Sequence, residues 1–476
     1  MRISHPLALV LTLVPLAVGA QPTSAQPTPA QPAATAPTAV PGWTGAIDFG
    51  VRGTSADGDA ARYERYRDMG DGLFVEGLRL NRDHNGWLLD LTANHVGRRD
   101  QRYLAGAERP GKLKTWFLWD QIPMLLSRTT RTLYSGVGSG VLEIDNTLQT
   151  RVQADPAAIA PVFNQFGTEF DTRTRRLIAE GGVEYLPSSA LTVTAKVRRT
   201  DREGTIPFGG SFGHSSLVEI PAPTDHGLTE ADAGAEFVRA PLLLRAAYTG
   251  SFFHNDVTSV IFDNPFRAID SAAVPARGRL TLAPSNSYNG VNGLASVKLP
   301  YRSRASAFVS IGRLTDAGDP IVPQTINSVL QPAPLARGTV NGEARTTGVN
   351  LTFVSRPTRF VDFTAAYRQY DYANRTPEFA MTERVSFDNT IAAVSPPVLT
   401  EPFSVLRHTL DADVKVTPMR GLSAGVGFTR LAEDRTHRIF ESTTDNVVRA
   451  TFDTVGNQWF TLRTNYEHAQ RREYQR

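Results

Sequence analysis

The chain of 476 residues contains no cysteine. Disulfide bonds, thiolate metal sites and covalently attached haem, which needs a Cys-x-x-Cys-His motif, are therefore excluded. No internal run reaches the roughly 18 apolar residues of a transmembrane helix, which argues against an inner-membrane span. The His-Glu-x-x-His motif of zinc proteases and the phosphate-binding P-loop are also missing. The net charge of +3 is small for this length and gives no reason to expect a nucleic-acid partner.

What the sequence does contain is a repeat of proline-marked turns. Pro187, Pro241, Pro300, Pro357 and Pro418 follow one another at intervals of 54 to 61 residues. Around at least four of them the sequence reads as strand, tight turn and strand. Such a repeat predicts antiparallel hairpins added one after another.

The predicted strands have one apolar and one polar face, because alternate side chains of a strand point to opposite sides. After Pro357, for example, Val361, Phe363 and Ala365 share the apolar face. The charged residues of the polar faces are Lys196, Arg198, Asp362, Arg368, Asp411, Asp413 and Lys415. A lipid-facing Lys or Arg costs about 2–4 kcal/mol at the bilayer midplane, so the polar face should line a lumen. The mixed signs favour a hydrated interior, or one complementary to a polar protein, over an ion-selective ring.

Strand and loop lengths distinguish a membrane barrel from a soluble sheet with one face on a core. We expect strands of about 9–12 residues, enough to cross a bilayer at a tilt. The proline turns are short, whereas residues 201–240 and 372–404 are long and polar and are expected to be loops. The sequence therefore predicts an all-β fold: a large antiparallel up-and-down transmembrane β-barrel with short periplasmic turns and long extracellular loops.

The amino terminus has the features of an exported protein. Residues 1–20 combine Arg2, an apolar stretch and a small-residue cleavage site before Gln21, as in a secretory signal peptide. An amino-terminal membrane anchor is the alternative. Residues 21–42 are a Pro/Ala/Thr-rich leader expected to be disordered, and the barrel is expected over residues 43–476. Because the sequence from Tyr466 to Arg476 resembles a strand running into a charged loop, we expect a barrel that is truncated at the carboxyl terminus.

Residues 45–134 do not follow the pattern of the proline-marked repeats and carry a succession of short motifs. In order, these are Asp57-Gly58-Asp59, Tyr66-Arg67-Asp68, Gly72-Leu73-Phe74, Gly97-Arg98-Arg99-Asp100-Gln101-Arg102-Tyr103 and Trp119-Asp120-Gln121-Ile122-Pro123. This succession resembles the start of the MtrB/PioB outer-membrane barrels. Some members of that family carry a Cys-x-x-Cys near the mature amino terminus, which this chain lacks, so any thiol-dependent step is in doubt.

The resemblance implies a barrel in the outer membrane of a Gram-negative cell that sheathes a multihaem cytochrome in electron transfer across that membrane. Its partners would be outer-membrane lipid and periplasmic and cell-surface multihaem cytochromes. Haem would belong to the partner, so the barrel itself would hold no cofactor. A passive porin-like solute channel is the first alternative, and a secreted soluble β-sheet binding protein is the second. An outer-membrane enzyme ranks last, and we expect no enzymatic activity. Strand number and oligomeric state stay open.

Each polar motif of the block also has a structural interpretation. Asp57-Gly58-Asp59 lacks the further ligands of a calcium loop and is read as a turn. Arg98, Arg99 and Asp100 are expected to form an ion-paired network at a loop base or in the lumen, with partner docking as the alternative. Trp116 and Trp119 are expected to be interface-girdle or packing residues. The glycine-rich segment 136–140 is expected to be a flexible connection.

The nine histidines show no regular ligand spacing. Those that could bind a haem or metal in trans include His84, His95, His214, His226 and His254. Possible members of a hydrolase pair are Ser215 beside His214, and His254 with Asp256. Since none of these arrangements is specific, we assign no catalytic, cofactor-binding or metal-binding residues.

Overall fold

The computed structural model describes residues 42–212, 217–457 and 460–474. The predicted signal peptide and nearly all of the predicted leader, residues 1–41, lie outside these ranges. The described part of the chain is almost entirely antiparallel β-structure, as predicted.

The strands are listed here in chain order. They are β1 (Thr44–Arg52), β2 (Gly72–His84), β3 (Trp87–Val96), β4 (Arg102–Arg109), β5 (Leu113–Thr132), β6 (Val141–Leu142), β7 (Thr168–Ser188), β8 (Leu191–Ser211), β9 (Leu217–Arg239), β10 (Leu242–Asn255), β11 (Ser259–Asp263), β12 (Arg277–Thr281), β13 (Asn286–Leu299), β14 (Ser303–Asp316), β15 (Glu343–Thr358), β16 (Val361–Asn374), β17 (Ala380–Ser386), β18 (Thr390–Leu399), β19 (Val405–Met419), β20 (Leu422–Arg435), β21 (Ser442–Asn457) and β22 (Phe460–Tyr474).

Seventeen of these strands form one sheet with up-and-down order. Each strand pairs antiparallel with the strand before and the strand after it, once the loop strands β6, β11, β12, β17 and β18 are left out. The same pattern continues through the remaining pairs. Within the described residues, β1 pairs with β2 and β22 pairs with β21, and these two strands form the sheet edges.

The connections alternate between short and long. The short turns lie at one end of the sheet because neighbouring strands are antiparallel. They are residues 85–86, 110–112, 189–190, 240–241, 300–302, 359–360 and 420–421. Asn85 and Gly86 both have positive φ, as a two-residue type I′ hairpin requires. All five repeat prolines lie in or beside turns at this end, which confirms the prediction. In outer-membrane barrels the short turns are periplasmic.

The opposite, long-loop end carries secondary structure of its own. Its helices are α1 (Ala60–Tyr63), α2 (Asn146–Ala154) and α3 (Ile159–Phe166), with a 3₁₀ turn at Pro156–Ala158. The connection after β16 is long, as predicted, and contains the β17–β18 hairpin. The prediction for residues 201–240 was wrong, because β8 and β9 stay paired as far as Ser211 and Leu217. The expected strand length was too short for the same reason: backbone pairing continues beyond the apolar band, to 23 residues in β9.

One face of the sheet carries a band of solvent-accessible apolar side chains. Leu351, Tyr367 and Leu410 lie side by side on three neighbouring strands, and Leu351 and Leu410 are 44% and 43% exposed. From Val416 to Leu410 the band extends about 20 Å along β19, close to the ~25 Å lipid-facing band of outer-membrane barrels. On each strand, the next residue of this face towards the long-loop end is polar. These residues are Arg313, Thr347, Gln369, His408 and Arg430. This distribution identifies the apolar face as the lipid-facing one.

The long loops pack into a hydrophobic cluster above the sheet. Phe212 at the tip of β8 contacts Phe262 of β11 edge-to-face, with ring centroids 5.2 Å apart. The buried members of the cluster are Tyr134, Leu142, Ile144, Phe212, Ile220, Ala222, Val260 and Phe262. No helix in the described part of the chain has the length and apolar character needed to cross a bilayer.

Candidate functional site

The polar face of the sheet is lined by charges that pair across neighbouring strands. On β8, Lys196 lies 3.6 Å from Asp232 of β9, and Arg198 lies 4.0 Å from Glu180 of β7. The strand register places the two partners of each pair directly opposite each other, so the backbone positions each pair.

The same arrangement recurs farther along the sheet. Arg368 of β16 is 3.0 Å from Asp411 of the neighbouring β19. Asp413 of β19 lies 3.4 Å from Arg449 of β21, across the intervening β20, where Gly427 is opposite both residues. Asp362 is ion-paired with Arg356 and faces Lys415 across the β16–β19 pair. All seven charged residues predicted for the polar face are therefore on it. Six of the seven are ion-paired within the wall, so these charges and their partners leave little excess of either sign.

Trp116 belongs to this polar face. Its indole N–H donates to Glu180 Oε1 at 3.2 Å, and the ring lies against Gly182, its cross-strand partner. Of the two roles predicted for this residue, girdle or packing, Trp116 has the packing role. Trp119, three residues later, lies on the apolar face beside Tyr103 and Ala179, where a girdle residue is expected. Because 116 and 119 differ by an odd number, the two rings must point to opposite faces.

The motifs of the amino-terminal block converge at the long-loop end. Asp68, in the connection between β1 and β2, accepts hydrogen bonds from the backbone N–H and Nε of Arg99, between β3 and β4. Arg99 also lies 3.7 Å from Glu64, which accepts a 2.6 Å bond from Arg128 of β5. Arg98 donates to the Gly70 carbonyl at 2.6 Å. These contacts confirm the ion-paired network at a loop base.

A second part of the network surrounds His95. Its Nδ1 is 2.9 Å from Asp100 Oδ2, and its Nε2 is 3.2 Å from Glu76 Oε1. Arg52 lies 3.9 Å from Glu76 and stacks over the Phe74 ring at 4.5 Å. Both nitrogens of His95 are thus engaged within the protein.

Asp59 has a role that the turn prediction did not include. It is the amino-terminal cap of α1, and its carboxylate accepts from the Arg62 N–H at 3.1 Å. The Asp-Gly-Asp motif is therefore a bend leading into a helix cap, which is a frequent use of aspartate. The connection between β1 and β2 is held in place by this cap and by the Asp68 contacts. It is also bonded to β5, because the Leu125 N–H donates to the Arg65 carbonyl.

The electrostatics of Asp68 reflect these contacts. Burial by itself would raise the pKa of this carboxyl, but hydrogen bonds from Arg99 and Gly70 and the Arg99 charge outweigh it and lower the pKa to about 2. The hydrogen bond to Asp68 raises the pKa of Arg99, against the effect of burial. Both groups are therefore fully ionised at neutral pH.

The remaining histidines do not assemble a reactive site within the described residues. His254 Nε2 lies 3.0 Å from Asp256, as the predicted pair requires, and Nδ1 is 3.4 Å from Ser285 Oγ. Ser285 is only 5% exposed, and its Oγ accepts from the Asn255 N–H, so this hydroxyl is not presented to a substrate. His84 is exposed beside Asn85, and His226 packs against Phe253. The other predicted pair, His214 and Ser215, lies outside the described residues.

In residues 42–212, 217–457 and 460–474, no group of three or more acidic or histidine side chains is arranged to hold a metal ion. Residues 209–213 have the Gly-x-Ser-x-Gly spacing of a hydrolase elbow, and Gly213 lies outside the described residues. An elbow needs a strand-to-helix turn, whereas Ser211 ends a β8 that pairs with β9.

Comparison with known proteins places the chain in a family. Residues 55–475 match the family described as "Putative outer membrane beta-barrel porin, MtrB/PioB". The "Outer membrane protein MtrB" of Shewanella baltica (strain OS185) is 23% identical over 373 residues, which are 78% of this chain and 51% of that protein. The chain thus spans about half the length of this curated relative.

Solved structures also show similarity. The FrpB iron transporter from Neisseria meningitidis (F3-3 variant) is 9% identical, with a TM-score of 0.33, over 85% of this chain and 60% of that one. The ferric yersiniabactin uptake receptor FyuA from Yersinia pestis is 8% identical, with a TM-score of 0.29, over 90% of this chain and 72% of that one. The family match covers residues 55–475, and the lipid-facing band and the charged polar face agree with it. This chain belongs to the MtrB/PioB family of outer-membrane β-barrels.

Proposed function

We propose that this barrel is a hydrated sheath in the outer membrane, within which a multihaem cytochrome carries electrons across the bilayer. The observation that carries the proposal is the pairing of charges on the polar face, seen in Lys196–Asp232, Arg368–Asp411 and Asp413–Arg449. The barrel itself performs no redox chemistry and holds no cofactor. Its role is to position and shield its guest.

The charge pairing supports a protein guest for a physical reason. A ring of one sign would attract counter-ions and favour a selective ion path. Charges that are satisfied within the wall leave a polar surface with little net field, which a folded polar protein can approach without leaving unpaired charges. Water can fill the remaining gaps, since interfaces of this kind are routinely wet.

The family adds a second line of support. MtrB/PioB barrels sheath multihaem cytochromes, and this chain carries the motifs that resemble the family within residues 45–134. The long-loop end, where these motifs converge, would face a cell-surface cytochrome, and the short-turn end would face a periplasmic one. Export through an amino-terminal signal peptide belongs to the same proposal.

A passive solute channel is the second candidate, because a hydrated wall of the same kind would also line a water-filled pore. Planar-bilayer conductance separates the two candidates. The complex isolated from native membranes should conduct poorly, and conductance should rise once the guest is stripped off with salt or mild denaturant. High conductance of the untreated protein, unchanged by stripping, would favour the channel and reject the sheath.

A further inference from the structure

Two adjoining grooves cross the apolar face of the sheet. The first has a volume of about 460 Å³ and is lined in part by Phe353 of β15, with Ala305 and Ala365 on either side of it on β14 and β16. The second has a volume of about 420 Å³ and is lined by residues from β8 to β14. The grooves share Ala295 and Ala307, which face each other across the β13–β14 pair.

The shape and polarity of the grooves suit hydrocarbon chains. Both open on the face that we assign to lipid, and their walls are almost wholly apolar. Ala295 and Ala307 line both grooves, which therefore adjoin, and two hydrocarbon chains can lie side by side in them. The medium around this face is lipid, and a glycerophospholipid carries two acyl chains on one head group.

The chemistry at the short-turn end of the grooves defines the head group. Three neighbouring short turns carry the exposed arginines Arg239, Arg302 and Arg359. Among the described residues no ion pair involves these arginines, whereas Arg356 nearby is paired with Asp362. Arg302 lies in the tight turn that joins β13 to β14, five residues or about 17 Å along the strand from Ala307.

This turn is also built to sit at the membrane surface. Tyr301 and Arg302 both have positive φ, which fixes a tight reversal and presents both side chains, and Tyr301 is 76% exposed. Amphipathic rings favour the level of the head groups. A guanidinium group at that level can bind a phosphate with two parallel hydrogen bonds.

We propose that the two grooves and the three turns form a binding site for one anionic glycerophospholipid. Its acyl chains occupy the grooves on either side of Ala295 and Ala307. Its phosphate lies at Arg302, flanked by Arg239 and Arg359. This site depends only on the lipid-facing surface, so it is independent of any guest in the lumen.

Native mass spectrometry of the barrel, released from nanodiscs with equal amounts of phosphatidylglycerol and phosphatidylcholine, tests the head-group assignment. We expect one phosphatidylglycerol to be retained in preference to phosphatidylcholine. The double variant Arg302→Gln/Arg359→Gln should lose this preference by about fivefold for each arginine removed. Arg438→Gln removes one arginine at the long-loop end and should retain the preference, whereas each turn arginine removed should reduce it about fivefold.

The groove assignment has its own variants. Ala307→Phe places a large ring where the two grooves adjoin and should reduce retention of both lipids. Ala424→Phe, on the apolar face of β20 outside the grooves, should not reduce it. Heat-dependent migration on gels confirms that each variant is folded, and the turn variants leave the grooves intact. Equal retention of the two lipids by the unmodified protein would overturn the proposal. So would an equal loss in Arg438→Gln, or a lipid-free dimer, which would assign the grooves to a second copy.

Discussion

Asp68 accepts hydrogen bonds from the backbone N–H and the Nε of Arg99, at 3.0 and 3.1 Å, although the two residues are 31 positions apart. This contact joins the β1–β2 connection to the β3–β4 connection. It brings two segments of the amino-terminal block together: Asp68 supplies the carboxylate, and Arg99 supplies the donors.

Replacing Asp68 should therefore loosen this end of the barrel. Asp68→Asn removes the charge and the ion pair with Arg99, and hydrogen bonds to charged groups contribute about 1.5–3 kcal/mol. We expect faster tryptic cleavage within residues 53–71 of the folded protein. Asp59→Asn is the matched control in the same connection, because asparagine also caps a helix. Equal cleavage rates for the two variants would contradict this role of Asp68.

The same carboxylate should make the connection sensitive to acid. The pKa of Asp68 is lower in the folded protein, at about 2, than the value of about 3.9 in an unfolded chain. Its stabilising effect is therefore present above about pH 4 and is lost as the pH falls through about 2. Hydrogen exchange of residues 53–71, corrected for intrinsic rates, should show a protection difference between wild type and Asp68→Asn at pH 5. That difference should shrink at pH 2. A difference that stays constant would refute the linkage.

The assignment of the two faces can be tested with adjacent residues. Ala365 lies on the apolar face, in the middle of the band, and Ala366 lies on the polar face. Ala365→Arg should destabilise the barrel in liposomes by about 2–4 kcal/mol, because it places a charge in lipid. Ala366→Arg should cost much less. Urea unfolding midpoints give the comparison, and the reverse order would mean that the faces are assigned wrongly.

The position of Trp116 can be tested with the adjacent residues Gly181 and Gly182. A Cβ on Gly182 would overlap the Trp116 indole, whereas a Cβ on Gly181 meets only the Trp116 carbonyl oxygen at 3.8 Å. Gly182→Ala should cost about 1–3 kcal/mol by overpacking and shift the tryptophan fluorescence. Gly181→Ala should change stability little, since its φ is not in the left-handed region. Similar effects of both variants would remove Trp116 from the polar face.

The sequence predicted the faces and the short turns well, because both follow from local rules. A strand with lipid on one side and water on the other must alternate, and the alternation of Val361, Phe363 and Ala365 was sufficient to place them. Proline and glycine mark tight reversals for equally local reasons.

Predictions failed where water lies on both faces or where partners are distant in sequence. Thr200–Ser211 continues β8 without apolar alternation, so its pairing with β9 leaves no periodic signal. The hydrogen bond from Trp116 to Glu180 spans 64 residues and depends on the β5–β7 register. The Phe212–Phe262 contact depends on how three long loops fold together. The sequence left girdle and packing open for both tryptophans, and the strand register decides that Trp119 faces lipid and Trp116 packs on the polar face.

The absorption spectrum of the barrel, affinity-purified from the membranes of its native host in mild detergent, tests the sheath proposal most directly. The account predicts a haem Soret band and reducible α and β bands that remain with the barrel through size-exclusion chromatography and are lost when the guest is stripped off. A well-folded barrel that is colourless at every stage, although cytochromes are present in the same membranes, would contradict the account.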